Sequence, residues 1–249
     1  MSSGTAVFIS DIHLPPGGEG GPDPRTRAFV SFVSDAAAKA ERGPHALYIL
    51  GDLFDYWFEP AGRIPREFGG ACAAIRDATE RGLRVVVLPG NRDFLLGTAF
   101  ARETGATVAP DETSIVLGGK RTLLTHGDLL AAGDRRYQHW RRFSRGGAFR
   151  RIARGLPACL AERLAASLRA GSELEKRAKH PASMRYSEHA LASRVARGAD
   201  IIIAGHVHEA GERTVELRGR SGRVVTLGAW GDSPGSHAEW DGTELRLLG

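Results

Sequence analysis

The sequence predicts an α/β fold, and three observations carry that prediction. Short apolar runs of strand length recur along the chain. Five of them lead within a few residues to an Asp, Asn or His, and helical periodicity fills the stretches between the first runs. The carboxyl ends of strands are where open α/β sheets bind ligands. The residues at those ends are therefore the candidates for function.

The first run, Ala6-Val-Phe-Ile-Ser10, reads as a buried strand followed by Asp11-Ile-His13. Residues i and i+2 of an extended chain project to one side, so this carboxylate and imidazole are expected to converge. A Gly/Pro-rich loop leads to a helix at about 25–42, with Phe29, Phe32 and Val33 as its apolar stripe. The second run, Ala46–Leu50, ends in Gly51-Asp52 and closes a βαβ unit. A helix at about 65–81 ended by Gly82, then a strand at about 84–88, deliver Pro89-Gly90-Asn91-Arg92-Asp93. A short helix is predicted at about 94–104.

Two β segments at about 113–117 and 121–124 flank Gly118-Gly119, a hairpin signal, and the second ends in His126-Gly127-Asp128. From Asp134 to Arg197 the pattern is helical, with Leu156, Leu160, Leu164 and Leu168 every fourth residue. The apolar strand Ile201–Ala204 runs into Gly205-His206-Val207-His208. The remainder is β-rich, at about 214–217, 223–227, 237–240 and 244–248. With no internal repeat and no linker, the reading is one domain over residues 1–249 with a helical insertion at about 134–197.

A chain of 249 residues, 42% hydrophobic and 25% charged, is ordinary for a globular protein. It shows no signal-peptide pattern, and no apolar run reaches the ~18 residues of a membrane span. Cys72 and Cys159 read as unpaired core thiols, which points to a reducing compartment, the cytoplasm. Charge is uneven. Residues 135–179 hold thirteen Lys/Arg and three acids, a local net of +10 that leaves −5 for the rest of a chain whose total is +5. Such a segment implies an anionic partner. Few aromatics interleave with the arginines, which disfavours nucleic acid. Trp140, Phe143 and the Phe149–Arg154 cluster fit contact with an anionic lipid surface, whereas the leucine stripe reads as core packing.

Five strand ends thus offer Asp11/His13, Asp52, Asn91, His126 and His206/His208. Any one alone is ordinarily a turn, cap or core residue. As a set they are oxygen and nitrogen donors without thiolate, suited to Mn²⁺, Fe²⁺ or Zn²⁺. Seven are too many for one ion and suit two ions sharing a carboxylate, an arrangement that clamps a phosphoryl group and activates water.

The ordered series Asp-x-His, Gly-Asp, Gly-Asn-x-Asp, His-Gly-Asp, Gly-His-x-His resembles the calcineurin-like metallophosphoesterases. The resemblance implies a four-layer αββα sandwich of two mixed β-sheets. It also implies two divalent ions, Mn²⁺ first and Fe²⁺ or Zn²⁺ as alternatives. Asp11, His13, Asp52 and His208 would hold one ion, and Asp52, Asn91, His126 and His206 the other. One departure is informative: Arg92 stands where the broad family carries a histidine. Arginine stays protonated and cannot be a general acid, but it binds phosphate through two parallel hydrogen bonds. A phosphomonoester leaving group, with a second pKa of ~6, departs without protonation, so Arg92 favours a diphosphate substrate.

A narrower similarity is carried by Phe8–Leu14, Tyr48–Asp55, Gly90–Gly97, His126–Asp128, Asp134–Tyr137, Leu168–Ser172 and Leu227–Trp230. These stretches resemble the branch of the family that hydrolyses UDP-2,3-diacylglucosamine to UMP and 2,3-diacylglucosamine 1-phosphate in lipid A biosynthesis. That branch implies Asn91, Arg92, His126 and His206 as catalytic side chains. It implies Asn91, Arg92, Asp134, Tyr137, Arg169, Ser172 and His206 as substrate contacts, with the insertion as a cap over the site. Gly171 departs from an Asn in that pattern, and Met184-Arg-Tyr-Ser187 from a Met-Asp-Val-type segment. The expected partners are a lipid-linked UDP-sugar and, by peripheral contact, the cytoplasmic face of the inner membrane. No nucleic acid is expected, and the chain is expected to be a monomer. The alternative is a phosphodiesterase acting on another nucleotide diphosphate or on nucleic acid.

Overall fold

The structure, a computed structural model, describes residues 4–18, 21–59, 62–131, 185–217 and 219–249. Its first sheet has the order β11-β10-β1-β2-β3-β4. The strands are β1 (Thr5–Ile9), β2 (His45–Leu50), β3 (Arg84–Leu88), β4 (Thr107–Val108), β10 (His237–Trp240) and β11 (Leu245–Leu248). The second sheet has the order β5-β6-β7-β9-β8. It comprises β5 (Glu112–Leu117), β6 (Lys120–Thr125), β7 (Ile201–Ala204), β8 (Gly211–Leu217) and β9 (Arg220–Thr226). Both sheets are mixed. β1 to β4 run parallel while β10 pairs antiparallel with β1, and β6, β7 and β9 run parallel between antiparallel β5 and β8.

The layering follows from the period of two along each strand. On β1 to β3, Val7, Ile9, Leu47, Ile49, Val85 and Val87 face one apolar cluster. That cluster is completed by Phe29 and Val33 of α1 (Pro24–Ala40) and by Cys72 and Ile75 of α2 (Gly69–Glu80). The alternate residues Phe8, Tyr48, Leu50, Val86 and Leu88 face a second cluster with Ile201, Ile203, Val225 and Leu227 of the other sheet. Ile202, Ala204 and Val224 point the opposite way, toward Leu191 and Val195 of the helix Glu188–Ala196, labelled α4. Three interlayer cores make four layers: helices, sheet, sheet, helix. Burial on both faces is why these strands are continuous apolar runs.

Most elements fall where the sequence places them, and the differences have local causes. The helix expected from residue 94 begins at Thr98 as α3 (Thr98–Thr104). A distant carboxylate, Glu59, takes the amides of Gly97, Ala99 and Phe100 at 2.9, 3.1 and 3.0 Å. Propensity has no access to such a non-local acceptor. Similarly, Arg66–Phe68 is a separate 3₁₀ turn before α2. β8 and β9 start earlier than their apolar pattern because polar residues such as Arg223 and Glu212 pair across the solvated side of the ladder. β4, with two residues, is too short to leave a period in sequence.

Of the helical stretch expected at 134–197, residues 132–184 lie outside the described residues, and Cys159 with them. The described end, α4, is the outer layer on the second sheet. No helix among the described residues is long and apolar enough to cross a membrane.

Candidate metal centre

All seven expected donors gather where the carboxyl ends of β1, β2 and β3 meet those of β6 and β7. They do so on strained backbone. Asp11, His13, Asp52, His206 and His208 all take left-handed conformations, with φ of 55°, 52°, 51°, 71° and 64°. Each costs about 1–2 kcal/mol for a residue with a Cβ. The expectation of extended i, i+2 pairs is thereby corrected: these residues have left the strand. Asp11 and His13 still converge, with His13 Nε2 at 3.9 Å from Asp11 Oδ1. His206 and His208 instead separate into two groups of donors.

In the first group, His208 Nε2 lies 3.3 Å from Asp11 Oδ1 and 3.3 Å from His13 Nε2. In the second, Asn91 Oδ1 lies 2.9 Å from His126 Nε2 and 3.1 Å from His206 Nδ1, and those two nitrogens are 3.3 Å apart. Asp52 Oδ2 stands between the groups, 3.9 Å from His13 Nε2 and 3.8 Å from His126 Nε2. Asp11/His13/His208 and Asp11/Asp52/His126 each bring their donor atoms within 4.8 Å of one another.

The remaining hydrogen bonds orient the free lone pairs inward. Asp11 Oδ2 accepts from Ser10 Oγ at 2.6 Å and from the His206 amide at 2.8 Å. Its buried Oδ1 receives no well-aligned hydrogen bond. Asp52 Oδ1 accepts from the Arg92 amide at 2.9 Å, leaving Oδ2 to the site. His126 Nδ1 lies 2.9 Å from the Leu50 carbonyl, which can only accept; Nδ1 therefore carries a proton, and Nε2 is the nitrogen left to bind a cation in place of its own proton. An ion bonded at ~2.0–2.2 Å to such donors holds neighbours roughly 3 Å apart, so both groups fit a divalent cation.

Electrostatics say the same. Burial works to raise Asp11, yet His208, His126 and His13 hold it well below the usual carboxylate range. Asp52 is raised, by burial and by the nearby Asp11 charge, against the pull of His126. Burial opposes charge on His126, but Asp52, Asp11 and Asp128 outweigh it and push the imidazole up to about 9. His206 is pushed down to about 4 by burial and by His126. Carboxylates crowded together out of water call for positive charge.

Two residues without a role in the sequence reading hold the loops. Asp93 is fully buried and accepts from the amides of Gly90 (2.7 Å), Leu53 (2.8 Å), Asp52 (3.3 Å) and Phe54 (3.4 Å), joining the second and third strand ends. It belongs to a quoted motif, so a signal existed. Glu59, which also faces Trp57 Nε1 at 3.3 Å, left none. Gly90 and Gly205 are required by close approach: a Cβ would lie 2.1 Å from Asp52 Oδ1 at the former and 2.0 Å from Ser10 Oγ at the latter. Arg92 Nη1 donates to Asp55 Oδ1 at 2.9 Å, and His13 Nδ1 lies 3.9 Å from the same oxygen. Asp134, Tyr137, Arg169 and Ser172 lie outside the described residues.

Nitrogen and oxygen donors in two groups joined by one carboxylate, at the rim of a two-sheet sandwich, define a metal-dependent hydrolase. The model of the calcineurin-like phosphoesterase family matches residues 4–210, and the chain belongs to that family. A UDP-2,3-diacylglucosamine hydrolase from Pseudomonas paraeruginosa is 38% identical over 228 residues, 91% of each chain. Relatives of the same name from Photorhabdus laumondii and Edwardsiella ictaluri are each 35% identical. The former match covers 90% of both chains, and the latter covers 97% of this chain and 90% of the relative.

Proposed function

We propose that the protein hydrolyses the diphosphate of UDP-2,3-diacylglucosamine to UMP and 2,3-diacylglucosamine 1-phosphate. The observation that carries this reading is the pair of donor groups joined on Asp52, in a chain that matches relatives of that name over nine-tenths of its length. Asp11, His13, Asp52 and His208 would hold one ion and Asp52, Asn91, His126 and His206 the other, with Mn²⁺ as the working metal. Two such ions supply charge stabilisation for a phosphoryl group and lower the pKa of water.

The chain's own residues do the rest. Ser10 and the His206 amide fix one oxygen of Asp11, and the Arg92 amide fixes one of Asp52, so both carboxylates keep their orientation through a turnover. The Arg92 guanidinium, oriented by Asp55, meets a phosphate of the substrate and neutralises charge that develops there. It donates no proton to the leaving group, and a phosphomonoester needs none. His208, 30% exposed, marks the side open to solvent, whereas His126 is buried. Asp134, Tyr137, Arg169 and Ser172 are proposed as contacts from the insertion. The arginine-rich segment 135–179 is proposed to meet the anionic cytoplasmic face of the inner membrane, with the protein working as a monomer.

Product analysis tests the reading. With Mn²⁺ and UDP-2,3-diacylglucosamine the expected products are UMP and the lipid 1-phosphate, and chelation abolishes their release. Cleavage of bis-p-nitrophenyl phosphate or a cyclic nucleotide without UMP release would replace the proposed substrate by a general diester. Sedimentation with anionic but not zwitterionic vesicles tests the membrane contact.

A further inference from the structure

We infer that Tyr186 is a positioning residue for the His126 and His206 turns, and through them for one ion of the centre. The inference rests on the reading of those histidines as ligands. Tyr186 belongs to the apolar cluster beneath α4, with Leu130, Leu191, Ile202 and Ala204, and is 9% exposed. Its phenol hydroxyl donates to the carbonyl of Gly205. Its ring lies against Gly127, where a Cβ would stand 3.1 Å from ring carbon Cε1. Gly127 follows His126 and Gly205 precedes His206, so one side chain touches both turns. The turns are also tied to each other, because the Gly205 amide donates to the His126 carbonyl at 2.9 Å.

The peptide unit between Gly205 and His206 is the point of leverage. Its N–H is held by Asp11 Oδ2 at 2.8 Å. Its carbonyl is held by Tyr186 and by the Val207 amide at 2.9 Å. Fixing both ends of a peptide plane fixes its rotation, and that rotation sets the φ of His206, which is +71°. A left-handed residue with a Cβ relaxes unless its surroundings hold it. Releasing the carbonyl from the phenol lets the plane turn, which moves His206 Nδ1 relative to Asn91 Oδ1 and His126 Nε2, now 3.1 and 3.3 Å away. Tyr186 also stands in the Met184-Arg-Tyr-Ser187 segment, where the resemblance leads one to expect a Met-Asp-Val-type segment whose valine has no hydroxyl to offer.

The test is Mn²⁺ binding to the full-length, metal-free protein, followed by calorimetry and by the spin resonance of bound Mn²⁺. Wild type is expected to bind two ions. Tyr186→Phe is expected to keep one affinity unchanged and to weaken the other about tenfold, the low end of what losing an outer hydrogen bond costs a metal site. Val195→Ala, which thins the same apolar cluster without touching either turn, is the control and is expected to keep both affinities. Two unchanged affinities in Tyr186→Phe would overturn the inference while leaving the two-ion centre standing. An equal loss in Val195→Ala would also overturn it, because general loosening would then suffice. A wild type that takes up no second ion would remove the centre itself.

Discussion

The two sheets contribute to one centre in different chemical currencies. The first sheet brings Asp11, His13, Asp52 and Asn91, and its loops are held by the carboxylates of Asp93 and Glu59, which collect backbone amides. The second sheet brings only imidazoles, from His126, His206 and His208, held by main-chain bonds and by Tyr186. The carboxylate donors therefore stand on one side of the seam, and the other side contributes imidazoles alone. A cation bound there would be shared, because each donor group contains residues from both sheets. A metal held by these donors would also join the two sheets.

The largest expected effect comes from Asp52, the carboxylate that stands between the two donor groups. Asp52→Ala should lower turnover of UDP-2,3-diacylglucosamine about a thousandfold or more, since it removes charge from both ion positions. Initial rates near wild type would break the sharing. Next is the clamp of the first sheet. Asp93→Ala leaves four amides, two of them in short bonds, without their acceptor and should cost about 3 kcal/mol in urea unfolding. A loss below about 1 kcal/mol would erase the contrast between the two sheets.

Chelating the metal should then lower stability by about 2.7 kcal/mol for each ion removed, relative to protein held at a hundredfold excess over Kd. If the thermal midpoint does not move on chelation, the ions are not a joint between the sheets. Arg92→Lys keeps the charge but loses the planar fork, and about a tenfold fall in kcat/KM, carried mainly by kcat, is expected.

The smallest effect is remote, on the outer face of the first sheet. Burial, with Glu103 adding to it, pushes the Cys72 thiol up to about 12 from an ordinary 9.0. Its folded value lies above its unfolded one, so its contribution to stability is present below pH 9.0 and lost as pH rises toward 12. In a Cys159→Ser background a thiol reagent at pH 8 should label Cys72 only after unfolding. Rapid labelling of the native protein would show the helix layer to be open.

What could be read from the chain was everything with a short period or a sharp ending. Apolar runs buried on both faces announced β1, β2, β3 and β7, and their terminal Asp, Asn and His residues announced the donors. Glu59 and Tyr186 could not be read. Their partners lie 38–41 and 19 residues away, and nothing in their local sequence distinguishes an anchoring carboxylate or phenol from an ordinary one.

By itself the sequence determined which side chains are available to the centre, because strand ends and donor chemistry are local properties. Only the tertiary structure decided how they are divided: His206 and His208, two residues apart, turn to different donor groups, while Asp11 and His208, 197 residues apart along the chain, meet at 3.3 Å. The physical reason is the left-handed backbone at five of the seven donors, which no local preference would choose and which hydrogen bonds from other strand ends hold: Gly51 and Asp52 carbonyls for the amides of Asp11 and His13, Asp93 for Asp52, and Asp11 for His206.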